Sequence, residues 1–330
     1  MATSQFTIYS SLDQYGPGYL NGLTGSLITV LDACLVNGYT GKPAAGWSKP
    51  FANSGSVIGC YKQGSGSRFT LFVNDNGPQV SALGKEAWAT GWEYLSSSTA
   101  PCGTGSGQFP LPAQLLTNGR VNIRKSSTTT TVLRPWMIFA DASTFHLFTF
   151  TGDGTYYHYF HFGDIYSLAG SSDIWRCLIV GRTTDNDGTS NNGQEDYLQP
   201  FANSGGIGGH YIARTFGGAG QGSINVSKIG DSTKACTSTA NYISVGSLPC
   251  PNGPDNSLYM TPVWVVETST HLRGRIRGLY SLLHGAGNFS DGQIIQGGND
   301  YAGKTFRCVK PSIAGGVFVI ETSATVETND

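Results

Sequence analysis

Pro50-Phe51-Ala52-Asn53-Ser54-Gly55 returns as Pro200-Phe201-Ala202-Asn203-Ser204-Gly205, the same hexapeptide met twice in one chain of 330 residues. Two fainter echoes follow in the same order. Arg134-Pro135-Trp136-Met137-Ile138, with Asp141 and then Ser143-Thr144-Phe145-His146-Leu147, is matched by Thr261-Pro262-Val263-Trp264-Val265, with Glu267 and then Ser269-Thr270-His271-Leu272. Trp175-Arg176-Cys177-Leu178 is matched by Phe306-Arg307-Cys308-Val309. Three matches in one order read as an internal duplication. The expectation is a mostly-β chain of two tandem, related β-sandwich or barrel-like domains, with one or two short helices.

Working outward from the repeat divides the chain into an N-terminal segment with a short helix (1–46), a first β domain (47–182), a polar connector (183–196) and a second β domain (197–330). In the first segment Leu27, Leu31, Cys34 and Leu35 recur at helical spacing, with Thr24 or Ser26 to cap the start and Asn37-Gly38 to stop it. Leu83, Ala87 and Trp88 suggest a second helix over 82–95, weakened by Gly84 and Gly91. From Trp136 onward the pattern is strand, turn, strand. Apolar and β-branched runs over 136–140, 144–150, 156–162 and 177–181 are separated by turn residues such as Gly152-Asp153-Gly154. The plan resumes near 207–213, 223–226, 260–266, 272–279 and 306–309, and closes with 316–322.

Composition fits this plan. Gly is abundant at 46 residues, and 16 Phe, 16 Tyr and 6 Trp argue against disorder. Charged residues are 12%, about half of the ~25% usual for globular chains. Charge is depleted in this way from the cores of permanent interfaces. A net charge of −1 argues against a general nucleic-acid binder or a membrane-surface protein. No apolar run approaches the ~20 residues of a membrane span, and the first residues carry no secretory signal, so synthesis in the cytoplasm is expected.

Candidate chemistry is sparse. On a strand, His158 and His161 point to opposite faces and cannot share a ligand site without a bulge. The stretch around them reads as a strand with aromatics on two covered faces. Arg273, Arg275 and Arg277 alternate along a strand and should share one face, where they call for anions. Ion pairs within the chain or with a neighbouring subunit are favoured over nucleic acid, and these three are the candidate subunit-interface residues. Asp185-Asn186-Asp187-Gly188 resembles part of a calcium loop but lacks the first carboxylate and the closing Glu. Gly217-Gly218-Ala219-Gly220-Gln221-Gly222 resembles a phosphate cradle in composition alone. The seven cysteines form no CxxC pair and read as small buried hydrophobes, with Cys102 and Cys250 the candidates should any disulfide form. No catalytic frame stands out, so no catalytic residue, metal or cofactor is expected.

Several stretches resemble structural proteins of tailed bacteriophages and prophages. They are Leu31-Asp32-Ala33-Cys34-Leu35-Val36-Asn37-Gly38-Tyr39, Lys42-Pro43-Ala44-Ala45-Gly46-Trp47, Arg134-Pro135-Trp136, Phe162-Gly163-Asp164, Leu248-Pro249-Cys250-Pro251-Asn252-Gly253-Pro254-Asp255 and Gly315-Gly316-Val317-Phe318-Val319-Ile320-Glu321-Thr322. The resemblance spans nearly the whole chain and implies a virion component at the tail or head–tail neck. Its partners would be copies of itself and other virion proteins. It carries over no catalytic or ligand residues. Two other readings compete. One is a receptor- or glycan-binding protein displaying an aromatic platform, with Tyr156, Tyr157 and Tyr159 as candidates. The other is a polysaccharide hydrolase.

Overall fold

Along Trp136–Ala140 successive side chains fall on alternate faces, Met137 and Phe139 on one, Ile138 and Ala140 on the other, and all are buried. A strand apolar on both faces must be covered on both. That requirement organises the molecule. The computed structural model describes residues 3–4, 6–53, 55, 57–76, 85–112, 119–150, 152, 157–182, 208–219, 225–227, 250–267, 271–284, 288–309, 317–323 and 326–327.

In chain order the elements are β1 (Thr3–Ser4), β2 (Thr7–Ser10), α1 (Ser26–Leu31), β3 (Ile58–Lys62), β4 (Thr70–Asn74), β5 (Glu86–Ser97), β6 (Thr104–Phe109), β7 (Val121–Arg124), β8 (Trp136–Ala140), β9 (Thr144–Phe150), β10 (Tyr157–Asp164), β11 (Tyr166–Ser167), β12 (Cys177–Arg182), β13 (Gly208–Ile212), β14 (Asn225–Ser227), β15 (Met260–Glu267), β16 (His271–Leu282), β17 (Ile294–Gln296), β18 (Thr305–Val309), β19 (Val317–Glu321) and β20 (Val326–Glu327). The fold is mostly β, as expected. A larger antiparallel sheet runs β2-β8-β9-β10-β12-β7-β5-β4-β3, with β13 also on β12 and β6 also on β5. A smaller one runs β14-β15-β16-β19-β18-β17, with β11 also on β16, and β1 pairs with β20.

The two sheets face each other. Phe139, Phe148, Leu178, Val180 and Ile212 of the larger meet Val263, Val265, Leu279, Phe318 and Ile320 of the smaller. The opposite face of the larger sheet (Ile138, Leu147, Phe160, Ile179) is covered by Leu27, Leu31, Cys34 and Leu35 of the helical segment. On the far face of the smaller sheet, Tyr280, Leu282, Phe306, Cys308 and Val319 pack with Phe289. No helix among the described residues is long and apolar enough to cross a membrane.

The helix forms where its spacing predicted it and continues as a π-helical turn over Asp32–Asn37, stopped by Gly38 at φ 68°. Its cap differs from expectation. Neither Thr24 nor Ser26 caps it. Gly25, at φ 87°, precedes it, and the Leu27 N–H donates at 2.9 Å to Asp75 at the end of β4. The expected second helix is a strand over its described part. Residues 86–97 form one strand that pairs with β4 along one edge and with β7 and then β6 along the other, with Ala87 and Ala89 turned to the helix-side core. A Cβ on Gly91 would stand 2.4 Å from the Phe109 ring, so the glycine is needed for this close pairing.

The echoes land on like local elements. The hairpins β8–β9 and β15–β16 carry one pair, and β12 and β18 the other. The wiring around them differs. β10, which precedes β12, separates it from β9, whereas β19, which follows β18, separates it from β16. Strands also pass between the two segments: β13 joins β12 in the larger sheet, and β11 joins β16 in the smaller. Of the repeated hexapeptide, Asn53 in the first copy donates to Asp32 at 2.8 Å. The second copy and the connector 183–196 lie outside the described residues.

Candidate functional site

Leu168 at 59%, Phe216 at 53% and Leu272 at 47% exposure are large apolar side chains held in the open. They border a hollow of about 490 Å³ that Ser167, Glu267 and Arg273 also line. Its rigidity comes from below. Arg273 is buried, and it forks onto Asp173, donating from Nε to Oδ2 at 2.7 Å and from Nη2 to Oδ1 at 2.6 Å. Its Nη1 bonds Glu267 and, at 3.0 Å, the carbonyl of Arg214. Glu267 in turn accepts the Phe216 N–H, 3.1 Å from each carboxylate oxygen. The Leu168 N–H donates to the Arg273 carbonyl at 2.9 Å. One buried guanidinium therefore fixes the segments that present Phe216 and Leu168.

A second hollow, of about 520 Å³, is lined by Tyr94, Ile174 and Trp175. Tyr94 is 65% exposed and Ile174 57%. There Arg214 forks onto Glu93 at 2.5 and 3.0 Å, with its guanidinium 5.6 Å from the Trp175 ring centre. The Glu93 carboxylate, bonded to Arg214, holds the guanidinium pKa above its usual value.

The arginine row is only partly as expected. Its intramolecular pairing is present, but Arg273 and Arg277 are both buried and engaged by carboxylates of the same chain, Arg273 at the base of the apolar hollow. Arg277 donates from Nη2 to Asp141 at 2.7 Å and from Nη1 to Ser143 at 2.5 Å. Nor does the row keep to one face. The register of β16 against β15 jumps from Pro262–Tyr280 to Trp264–Arg275, and Gly278 takes φ 67°. Through this bulge Ile276 and Arg277 both reach the layer between the sheets. Arg275 alone of the three is half-exposed, its guanidinium 4.8 Å from the Tyr166 ring centre.

The histidines of β10 lie on opposite faces, as strand geometry requires, and both faces are covered. His161 shares the inter-sheet side with Tyr159 and His146, and neither His146 nor His161 has exposed surface. His146 Nδ1 and the Tyr159 hydroxyl are 2.8 Å apart. Burial, reinforced by Arg277, pulls the His146 imidazole down to about 3, and burial with His146 nearby holds His161 well below the usual imidazole value. Both rings are therefore neutral at ordinary pH and closed to substrate. Tyr159 is 3% exposed, which removes it from an exposed aromatic platform. Tyr156 and the side chain of Tyr157 lie outside the described residues.

Cys34, Cys60, Cys102, Cys177, Cys250 and Cys308 are free thiols, so Cys102 and Cys250 are not joined. Among the described residues no group of three or more His, Cys, Asp or Glu is placed to hold a metal ion. The calcium-like stretch 185–188 and the second half of the glycine run, 220–222, lie outside them.

Sequence reasoning missed the apolar rim because Leu168, Ile174 and Phe216 belong to no motif, and Leu272 entered only as the last residue of an echo. The exposure of Leu168 and Phe216 follows from loops pinned by ion pairs distant in sequence, and Leu272 lies beside them near the start of β16. Comparison with known protein families finds none that matches the chain, and comparison with curated proteins likewise finds no match.

Proposed function

We propose that this chain is a structural component of a tailed-phage virion, assembling without catalysis as a symmetric oligomer at the tail or head–tail neck. The observation that supports the reading is where the few charges go. Asp75, Glu86, Arg124, Lys125, Asp141, Asp164, Asp173, Arg176, Arg273 and Arg277 are all buried. They pair within the chain: Lys125 with Asp75, Arg124 with Glu86, Arg176 with Asp164, Arg273 with Asp173 and Arg277 with Asp141. An already charge-poor chain thus pairs these charges inside its own fold, while several of its large apolar side chains stand half exposed or more. A lone soluble chain gains nothing from that surface; a subunit covered by neighbours does.

The hollow bordered by Leu168, Phe216 and Leu272 is the contact we assign to a second copy, because its rim is apolar and its one arginine is already neutralised. Arg275, half-buried beside Tyr166, is the member of the arginine row we assign to a subunit boundary. Mass-spectrometric analysis of purified phage particles tests the role. The chain is expected among the stoichiometric virion proteins. Its absence from finished particles, together with turnover of a substrate by the isolated chain, would overturn the reading.

A further inference from the structure

We propose that the outer face of the smaller sheet carries a binding cleft for a neutral saccharide, an inference that goes beyond the assembly reading and stands without it. The cleft has a volume of about 490 Å³, within the few hundred to ~1,000 Å³ typical of small-ligand sites. Its floor is apolar, formed by Leu282, Phe306 and Val319 on the face turned away from the inter-sheet core.

Two tyrosines supply aromatic surface. Tyr259 is 42% exposed, yet its ring is not free to wander. Its hydroxyl donates to Asp255, which also accepts from the Asn252 amide at 2.8 Å and the Ser257 N–H at 3.1 Å. Its backbone N–H donates to His284 Nε2 at 2.7 Å. Tyr301 is set edge-on against Tyr280 and Phe306, with ring centres 5.5 and 5.7 Å apart. The rim is polar. Asn256, Asn299 and Asp300 are exposed, and their side chains take no hydrogen bond from the described residues. Asn299 is held at φ 50°, a conformation that asparagine tolerates better than most residues.

This combination selects a ligand class. A pyranose presents an apolar face of C–H groups that packs on an aromatic ring, and a rim of hydroxyls that both donate and accept. Amide side chains also do both, and a carboxylate accepts from paired hydroxyls. Among the described residues no Lys, Arg or His lines the cleft, so nothing there neutralises a phosphate, sulfate or carboxylate. A neutral sugar fits where an anionic one does not.

Saturation-transfer NMR on the full chain, with a panel of neutral hexose and N-acetylhexosamine oligosaccharides and sialylated counterparts, tests this. At least one neutral saccharide is expected to bind with roughly millimolar affinity. Tyr259→Ala should weaken it about tenfold or more. Asn299→Gly, which keeps the backbone conformation and removes the amide, should weaken it several-fold, with the circular dichroism of both variants unchanged. The proposal is overturned by no transfer from any neutral member, by preference for the sialylated forms, or by binding that Asn299→Gly leaves intact.

Discussion

The ammonium of Lys125, just past the end of β7, lies 2.5 Å from the carboxylate of Asp75, just past the end of β4, and neither side chain has any exposed surface. Asp75 also accepts the Leu27 N–H, while Lys125 donates to the Leu23 carbonyl at 2.6 Å and to Ser26 at 3.0 Å. One ion pair thereby caps the helix and fastens it to the larger sheet. Burial holds the Asp75 carboxyl above its usual value and the Lys125 ammonium below its own, each opposed by the partner.

Removing the cation alone should therefore be costly. Lys125→Met leaves a buried carboxylate with only the helix N–H groups to satisfy it, and about 3–5 kcal/mol of stability should be lost. Urea denaturation measures it, and a loss under ~1 kcal/mol would show that the pair is not sealed from water.

Stability should fall on mild acidification. His146 and His161 are neutral in the folded chain because burial lowers their pKa values, from 6.5 to about 3 for His146. Unfolding frees them to bind protons, so the unfolded state gains below the unfolded value of 6.5. Each ring should contribute about 1.4 kcal/mol lost per pH unit below that point. Unfolding free energies at neutral pH and near pH 5 would show it, and His161→Gln should flatten the slope. Equal stability at the two pH values would contradict the burial of these rings.

The arginine row should split. Arg273→Lys replaces a fork that spans Asp173 and Glu267 with a single point of charge, and about 2–4 kcal/mol should be lost with that buried network. Arg275→Ala, at a half-exposed position, should change stability by less than ~1 kcal/mol. Thermal melts of the two variants distinguish them, and similar losses in both would refute the division.

Gly91→Ala should destabilise β5 by about 1–3 kcal/mol through overpacking against Phe109. Phe109→Leu in the same chain should recover part of that loss. A neutral Gly91→Ala would mean the ring yields freely.

What the sequence disclosed followed what is local. Apolar and β-branched runs such as 136–140 and 144–150 predicted strands, and Leu27, Leu31, Cys34 and Leu35 at helical spacing predicted the helix, because composition and spacing along the chain are local signals. The cap of that helix was not legible, since Asp75 lies far along the chain from Leu27. The 82–95 stretch misled because Leu83, Ala87 and Trp88 also satisfy helical spacing. The ladders with β4, β6 and β7 decided for a strand, and only the two glycines, Gly84 and Gly91, spoke against the helix. Arg273, Arg275 and Arg277 were legible as a row seeking anions. That Asp173 and Asp141 would meet two of them inside the chain depended on how the two sheets face each other. The grouping of the exposed Leu168, Phe216 and Leu272, and the tyrosine cleft, left no sequence signal, because loops and strands far apart in the chain assemble both.

The claim that neighbours cover this charge-poor surface is tested most directly by the solution mass of the purified full chain, measured by light scattering across a concentration series. The account predicts a symmetric oligomer of defined copy number that Phe216→Asp with Leu272→Asp reduces to single chains while the fold, by circular dichroism, is kept. A wild-type chain that stays at the mass of one copy at every concentration would contradict it.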